Sequence, residues 1–225
     1  MTTLYYSTPR PWSDGIRVSR HLVTGYDSDD DPITLESVRD DHLRTVNGSA
    51  EDDYISGLIA TSLRLAQRKT QKRILPETWR LDLSGFPSCH IELPYPPLIE
   101  VTSITYYDAD GDLTTLDADE YTVDAPFGPE AARGSVRLVD GGTWPTTSVR
   151  PDAVKVTFRC GYVDGSVSPE AVDVPADLTH ARLLVIKDLY EQRGSATVGV
   201  GTSVTPNVTT ANEIFESYRD RTVAG

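Results

Sequence analysis

The sequence predicts an α+β protein: a small antiparallel helical core, an antiparallel β unit inserted into it, and extended arms at both ends. Three observations predict it. Two stretches far apart, residues 49–75 and 174–193, carry apolar groups at helical spacing with start and stop signals. The segment between them alternates with a period of two and is punctuated by turn residues. Residues 1–33 and 195–225 fit neither pattern. The expected division is therefore an N-terminal arm (1–33), a first part of the helical core (34–75), an inserted β unit (76–170), a second part of the core (171–194) and a C-terminal arm (195–225).

The N-terminal arm has Pro9, Pro11, Gly15 and Gly25 as period breakers, and an acidic cluster at Asp27, Asp29, Asp30 and Asp31. Its Tyr5, Tyr6, Trp12, Ile16, Val18, Leu22 and Val23 are too many apolar groups for a solvated tail, so an extended segment lying on this subunit or on the next is expected. The acidic cluster lacks the spaced ligands and distal Glu of a calcium loop and reads as a solvated turn. Thr34 is the expected N-cap of a short helix over 35–44, with Leu35, Val38 and Leu43 apolar.

The helix in residues 49–75 organises the rest. Ile55, Leu58, Ile59, Ser62, Leu63, Leu65 and Ala66 fall on one broad face. Ser49 and Asp52 have the spacing of a capping box. Glu51, Asp52 and Asp53 stand at the start and Arg64, Arg68, Lys69, Lys72 and Arg73 towards the end, which suits the helix dipole. Pro76 is the expected stop. Seven short stretches follow that read as about six strands: residues 79–83, 90–93, 99–107, 113–116, 121–124, 135–139 and 154–158, with Asp110-Gly111 as a hairpin turn. The second long helix begins around Pro175, is closed by Gly194, and buries Leu178, Ala181, Leu184, Val185 and Leu189. It should pack on the first. The C-terminal arm is rich in Gly, Ser and Thr and ends in an amphipathic stretch, 212–221, with Ile214, Phe215 and Tyr218 on one face. A lone helix of that length is marginal in water, so it packs back on its own domain or waits for a partner.

The totals exclude some functions. The 225 residues carry 21 Lys and Arg against 34 Asp and Glu, a formal net charge of −13. Nucleic-acid binders show the reverse balance, because phosphate neutralisation drives their affinity. No apolar run approaches the roughly 20 residues of a membrane span. Cys89 and Cys160 read as two buried free thiols. No nucleophile elbow or phosphate loop is present. His21, His42, His90 and His180 are isolated, so no metal site or cofactor is expected. Asp108-Ala109-Asp110-Gly111-Asp112 resembles the front of a calcium loop, but Asp119 stands where its bidentate Glu belongs. No catalytic residue is expected.

An ordered set of segments carries a family resemblance: ITLESVRDDHLR (33–44), DDYISGLIATS (52–62), TWRLDLSGFP (78–87), IELPYPPLIEVTSITYYDADG (91–111), YTVD (121–124), the Arg137–Pro145 stretch, VKVTFRCGY (154–162) and VPADLTHARLL (174–184). Together they resemble the head-to-tail connector (adaptor) family of tailed bacteriophages and related gene-transfer particles, over about residues 33–193. The resemblance implies a structural virion protein rather than an enzyme. It implies a dodecameric homo-oligomeric ring between a portal protein and a stopper or tail-completion protein, with DNA passing through without specific binding. The helical core would be Ile55, Leu58, Ile59, Ser62, Ala66, Leu178, Ala181, Val185 and Leu189. By topology alone, residues 195–225 would dock on the portal, with Ile214, Phe215 and Tyr218 as anchors. Many copies of an acidic subunit would give a channel wall that repels DNA, provided the acids face the lumen. A second reading is a β-rich carbohydrate or host-surface binding module, which requires exposed aromatics among Tyr95, Tyr106, Tyr107, Tyr121 and Trp144. A third is a hydrolase with an acid pair in a deep pocket.

Overall fold

The structure is a computed structural model that describes residues 15–44, 48–162, 173–192 and 206–220. Among the described residues, eight strands form two antiparallel sheets: β1 (Val18–Thr24), β2 (Glu77–Leu83), β8 (Val154–Cys160), β4 (Leu98–Tyr107) and β5 (Leu113–Thr115) in that order, and β3 (His90–Glu92), β7 (Ser135–Leu138) and β6 (Tyr121–Asp124) in the other. The helices are α1 (Asp52–Thr70), α2 (Ala176–Glu191), α3 (Pro206–Ser217) and a short π-helical segment, Ser37–Leu43. The chain is α+β, as expected.

Alternation explains the sheets. Trp79, Leu81 and Leu83 of β2 stand directly opposite Phe158, Val156 and Val154 of β8, and all six are buried. Ile91 of β3, Ile104 of β4 and Val136 of β7 join the same apolar cluster, so both sheets share one core. The β4–β5 hairpin turns at Asp110-Gly111, where Gly111 has φ +90. Asp108 Oδ1 accepts the amides of Asp110 and Asp112, which makes the tip a self-bonded charged turn.

Helices α1 and α2 pack together, and each has a second partner. Ile55, Leu58 and Ile186 bury against Ile33 and Val38, with Ile59 and Leu189 half-buried beside them. Ala66, Leu178, Ala181 and Val185 bury against α3 through Ala211 and Phe215. Ser62 is buried and donates back to the Ile59 carbonyl at 2.8 Å. Thr34 caps the short helix: its Oγ1 accepts the Ser37 amide at 3.2 Å.

Several expectations change. Residues 18–24 are an edge strand: β1 is held by pairing with β2 from Val18 opposite Leu83 to Thr24 opposite Thr78, a tertiary signal that local periodicity lacks. The Ser49–Asp52 capping box does not form. Gly48–Glu51 is a 3-10 turn, Asp52 is the first α-helical residue, and its carboxylate is taken by Arg39 Nη1 at 3.2 Å. Helix α1 ends at Thr70, before Pro76, because Gln71 adopts the left-handed conformation (φ 59). Lys72 and Arg73 therefore leave the helix end and turn inward. Cys160 is buried but Cys89 is exposed. Asp31 is not solvated: it is buried against Arg182. Residues 1–14 and 193–205, with Gly194, lie outside the described residues.

Candidate functional site

The polar chemistry gathers where the helical core meets the β unit. Buried Glu77 of β2 accepts Gln67 Nε2 at 3.2 Å and Trp79 Nε1 at 2.8 Å, and faces Arg73 Nε at 3.1 Å. Arg73 lies over the rings of Tyr95 (3.9 Å) and Trp79 (4.7 Å). Lys72, almost wholly buried, donates to the Ala131 carbonyl at 2.7 Å. Burial pushes its ammonium below its ordinary pKa, against the pull of Asp220 and Glu130. Arg133 pairs with both Glu92 and Asp220. Burial opposes its charge, but those two carboxylates outweigh it and the guanidinium is held more firmly charged than usual. The Asp220 amide also reaches the Thr70 carbonyl at 2.9 Å.

The junction ties the helical core to the β unit through ion pairs. A groove of about 410 Å³ opens there, lined by Lys72, Glu130, Ala131, Ser217 and Arg219 among others. Asp152, held at about 2 by Arg150, and Asp40, held below the usual carboxylate range by Arg39, lie elsewhere on the surface. No group of three His, Cys, Asp or Glu side chains gathers to hold a metal among the described residues. Two carboxylates, Glu130 and Asp220, line this groove; both pull on the Lys72 ammonium, and Asp220 is paired with Arg133.

The aromatics of the β unit singled out in the sequence pack against its core or under Arg150. Trp79 and Tyr95 pack at 4.6 Å, Phe86 stacks on Trp144 at 4.6 Å and meets Tyr106 edge-on at 5.7 Å. Arg150 lies over Tyr107 at 3.5 Å. None of Tyr95, Tyr106, Tyr107, Tyr121 and Trp144 is exposed. The binding-module reading needs the opposite.

The C-terminal residues singled out in the sequence are brought together, but inward. Phe215 is buried against the α1–α2 pair, and Ile214 and Tyr218 are half-buried beside it. Tyr218 Oη donates to Asp177 at 2.8 Å. Of the three, Phe215 is therefore not presented to a partner in this state.

The surfaces left open are sheet edges and loop tips. Leu22 and Val23 on β1 are 50% and 54% exposed; Val123 on β6 is 37% and Phe127 just beyond it 69%. Leu113 and Val149 are exposed together at the end of β4, where Tyr107 pairs with Leu113 and its carbonyl accepts the Ser148 amide. No helix among the described residues is long and apolar enough to cross a membrane.

The architecture matches solved structures over nearly its whole length. A chain from the neck of an empty gene transfer agent (GTA) particle, computed with C6 symmetry, superposes with a TM-score of 0.68 at 22% identity, covering 92% of this chain and 97% of that one. This is a fold found in the neck of GTA particles. A chain from the native GTA virion gives 0.67 at 24% identity, and one from the native neck computed with C12 symmetry gives 0.64 at 22%, each with the same coverage. No protein-family model and no curated protein matches the chain.

Proposed function

We propose that this chain is a structural neck subunit. Twelve copies form an adaptor ring that joins the portal vertex of a phage-like particle to its stopper or tail and extends the DNA channel. The observation that carries this reading is the end-to-end likeness to GTA neck chains: 92% of one chain on 97% of the other leaves neither with a sizeable part unexplained. C6 and C12 symmetry describe those necks, and a ring of twelve fits both. The site geometry agrees, because its buried ion pairs fasten elements together. A net charge of −13 suits a wall along which DNA slides, since the phosphate attraction that makes binding tight is missing.

In this reading the C-terminal segment 195–225 faces the portal. Because Phe215 is committed to the subunit's own core, the contact falls to the outer side of α3, where Glu213 and Glu216 are exposed. Removing everything after residue 194 is a poor probe, since it also takes Phe215 and Asp220 from the core. Glu213→Lys with Glu216→Lys leaves the buried side intact.

The test is co-sedimentation with the portal protein of the same particle, followed by electron microscopy of the complex. A ring of subunits on the portal supports the reading. A chain that neither binds the portal nor assembles at any concentration sinks it. If the double Lys variant binds as the native chain does, the ring stands and the α3 contact does not.

A further inference from the structure

Among the four strands that end the two sheets (β1 and β5, β3 and β6), β1 and β6 differ in sign. Strand β1 ends the five-stranded sheet and β6 ends the three-stranded one. The Ser84 amide bonds the Arg17 carbonyl, so alternation directs the backbone groups of Val18, Arg20 and Leu22 away from β2. The Val139 amide bonds the Glu120 carbonyl, which likewise directs those of Tyr121 and Val123 away from β7. Such rows of unpaired groups are templates for another strand. Each edge also carries exposed apolar side chains: Leu22 and Val23 on one, Val123 and Phe127 on the other. Charge separates them. Residues 15–26 hold Arg17, Arg20 and His21 and no acid; residues 117–124 hold Asp117, Asp119, Glu120 and Asp124 and no base.

We propose that β1 of one subunit pairs with β6 of the next, and that this contact closes the ring. The inference rests on the neck reading above and names the surfaces that join its copies. The two patches differ, so the contact is heterologous and repeats around an axis, whereas a β1–β1 contact would stop at a dimer and face arginine with arginine. Charge order also selects the direction. With Leu22 beside Thr122, so that the outward-facing groups of the two strands interleave, parallel pairing sets Arg17 beside Asp117 and Arg20 beside Glu120 and leaves Asp27 beside Phe127. Antiparallel pairing would press Asp27, Asp29 and Asp30 onto Asp117 and Asp119. Backbone bonds supply affinity and the charges supply register.

The experiment is charge exchange, read as ring formation alone and on the portal. Arg17→Glu, an exposed change that leaves the monomer's melting unaltered, should raise the half-assembly concentration about tenfold. Asp117→Arg with Asp119→Arg should do the same, and combining the two sets should restore assembly. In a Cys89→Ser background, Leu22→Cys with Thr122→Cys should give a ladder of disulfide-linked oligomers when diamide is added, because neighbouring strands lie about 4.8 Å apart, within disulfide reach. Rings that form equally well with Arg17→Glu and give no ladder would overturn the edge contact and leave the ring reading standing. Cross-linked dimers alone would overturn it in favour of a two-fold contact. A native chain that makes no ring even on the portal would remove both.

Discussion

Asp31 and Arg182, 151 residues apart in the chain, form a two-pronged ion pair at 2.8 and 2.6 Å inside the protein. Both are buried, and Asp31 also accepts the Ile33 amide at 3.0 Å, so one carboxylate fixes the segment leading into the short helix onto α2. Removing one partner strands a buried charge. Asp31→Ala should cost about 3–5 kcal/mol in denaturant unfolding. Replacing both, Asp31→Leu with Arg182→Met, should recover most of that, leaving about 1 kcal/mol for the orphaned Ile33 amide. Equal losses in the single and double variants would show that the pair is not the fastening.

That pair also marks the limit of reading the sequence. Asp31 sits in a run of aspartates and looks solvated; its partner is too far along the chain for any local pattern to reveal. The strand β1 was hidden for a related reason. Three apolar residues between glycines and aspartates carry no decisive period, and only β2 beside them makes a strand. By contrast, α1, α2, the β4–β5 hairpin and the β2–β8 alternation were legible, because each has its own spacing and turn residues. The fate of the C-terminal helix was undecided in sequence, since an amphipathic face suits its own domain or a partner equally. Packing of Phe215 onto the α1–α2 pair decides it for this state.

Gly161 should be intolerant of any side chain. It has φ +126, and a Cβ there would lie 2.3 Å from the Leu75 carbonyl oxygen, a backbone atom that cannot swing aside. Its amide also donates to the Pro97 carbonyl at 2.9 Å. Gly161→Ala should therefore destabilise by about 3 kcal/mol or more in thermal unfolding. Gly57, inside α1 with open space around it, is the contrast: Gly57→Ala should stabilise by about 1 kcal/mol. The two alanines should move the melting temperature in opposite directions.

Alkaline pH should loosen the contact between α3 and α2. Burial, with the Asp177 hydrogen bond behind it, pushes the Tyr218 hydroxyl up to about 12 from its usual 10. The folded protein thus holds this proton more tightly than the unfolded chain does. The stabilisation is complete below pH 10 and is lost as pH rises towards 12. Unfolding of the native chain and of Tyr218→Phe should be followed across this range. The native advantage should shrink above pH 10; a difference that stays constant would mean the hydroxyl does not report the contact.

Phe215→Ala should free α3 before the rest unfolds. The ring is buried in the cluster that joins α3 to the α1–α2 pair, and its truncation should cost about 3 kcal/mol. Polar ties would remain: Tyr218 Oη to Asp177, the Asp220 amide to the Thr70 carbonyl and the Asp220 carboxylate to Arg133. A twelve-residue helix is marginal without a packed face, so the loss should be taken locally. Hydrogen exchange resolved by fragment measures this. Amides in α3 should exchange about 100-fold faster, while those of α1 and β8 change far less. A uniform acceleration across the chain would instead make α3 part of one cooperative unit. The distinction bears on the proposed neck role, because a helix that leaves α2 at modest cost is free to present Ile214 and Tyr218 to a partner, and one that cannot leave presents only its outer face.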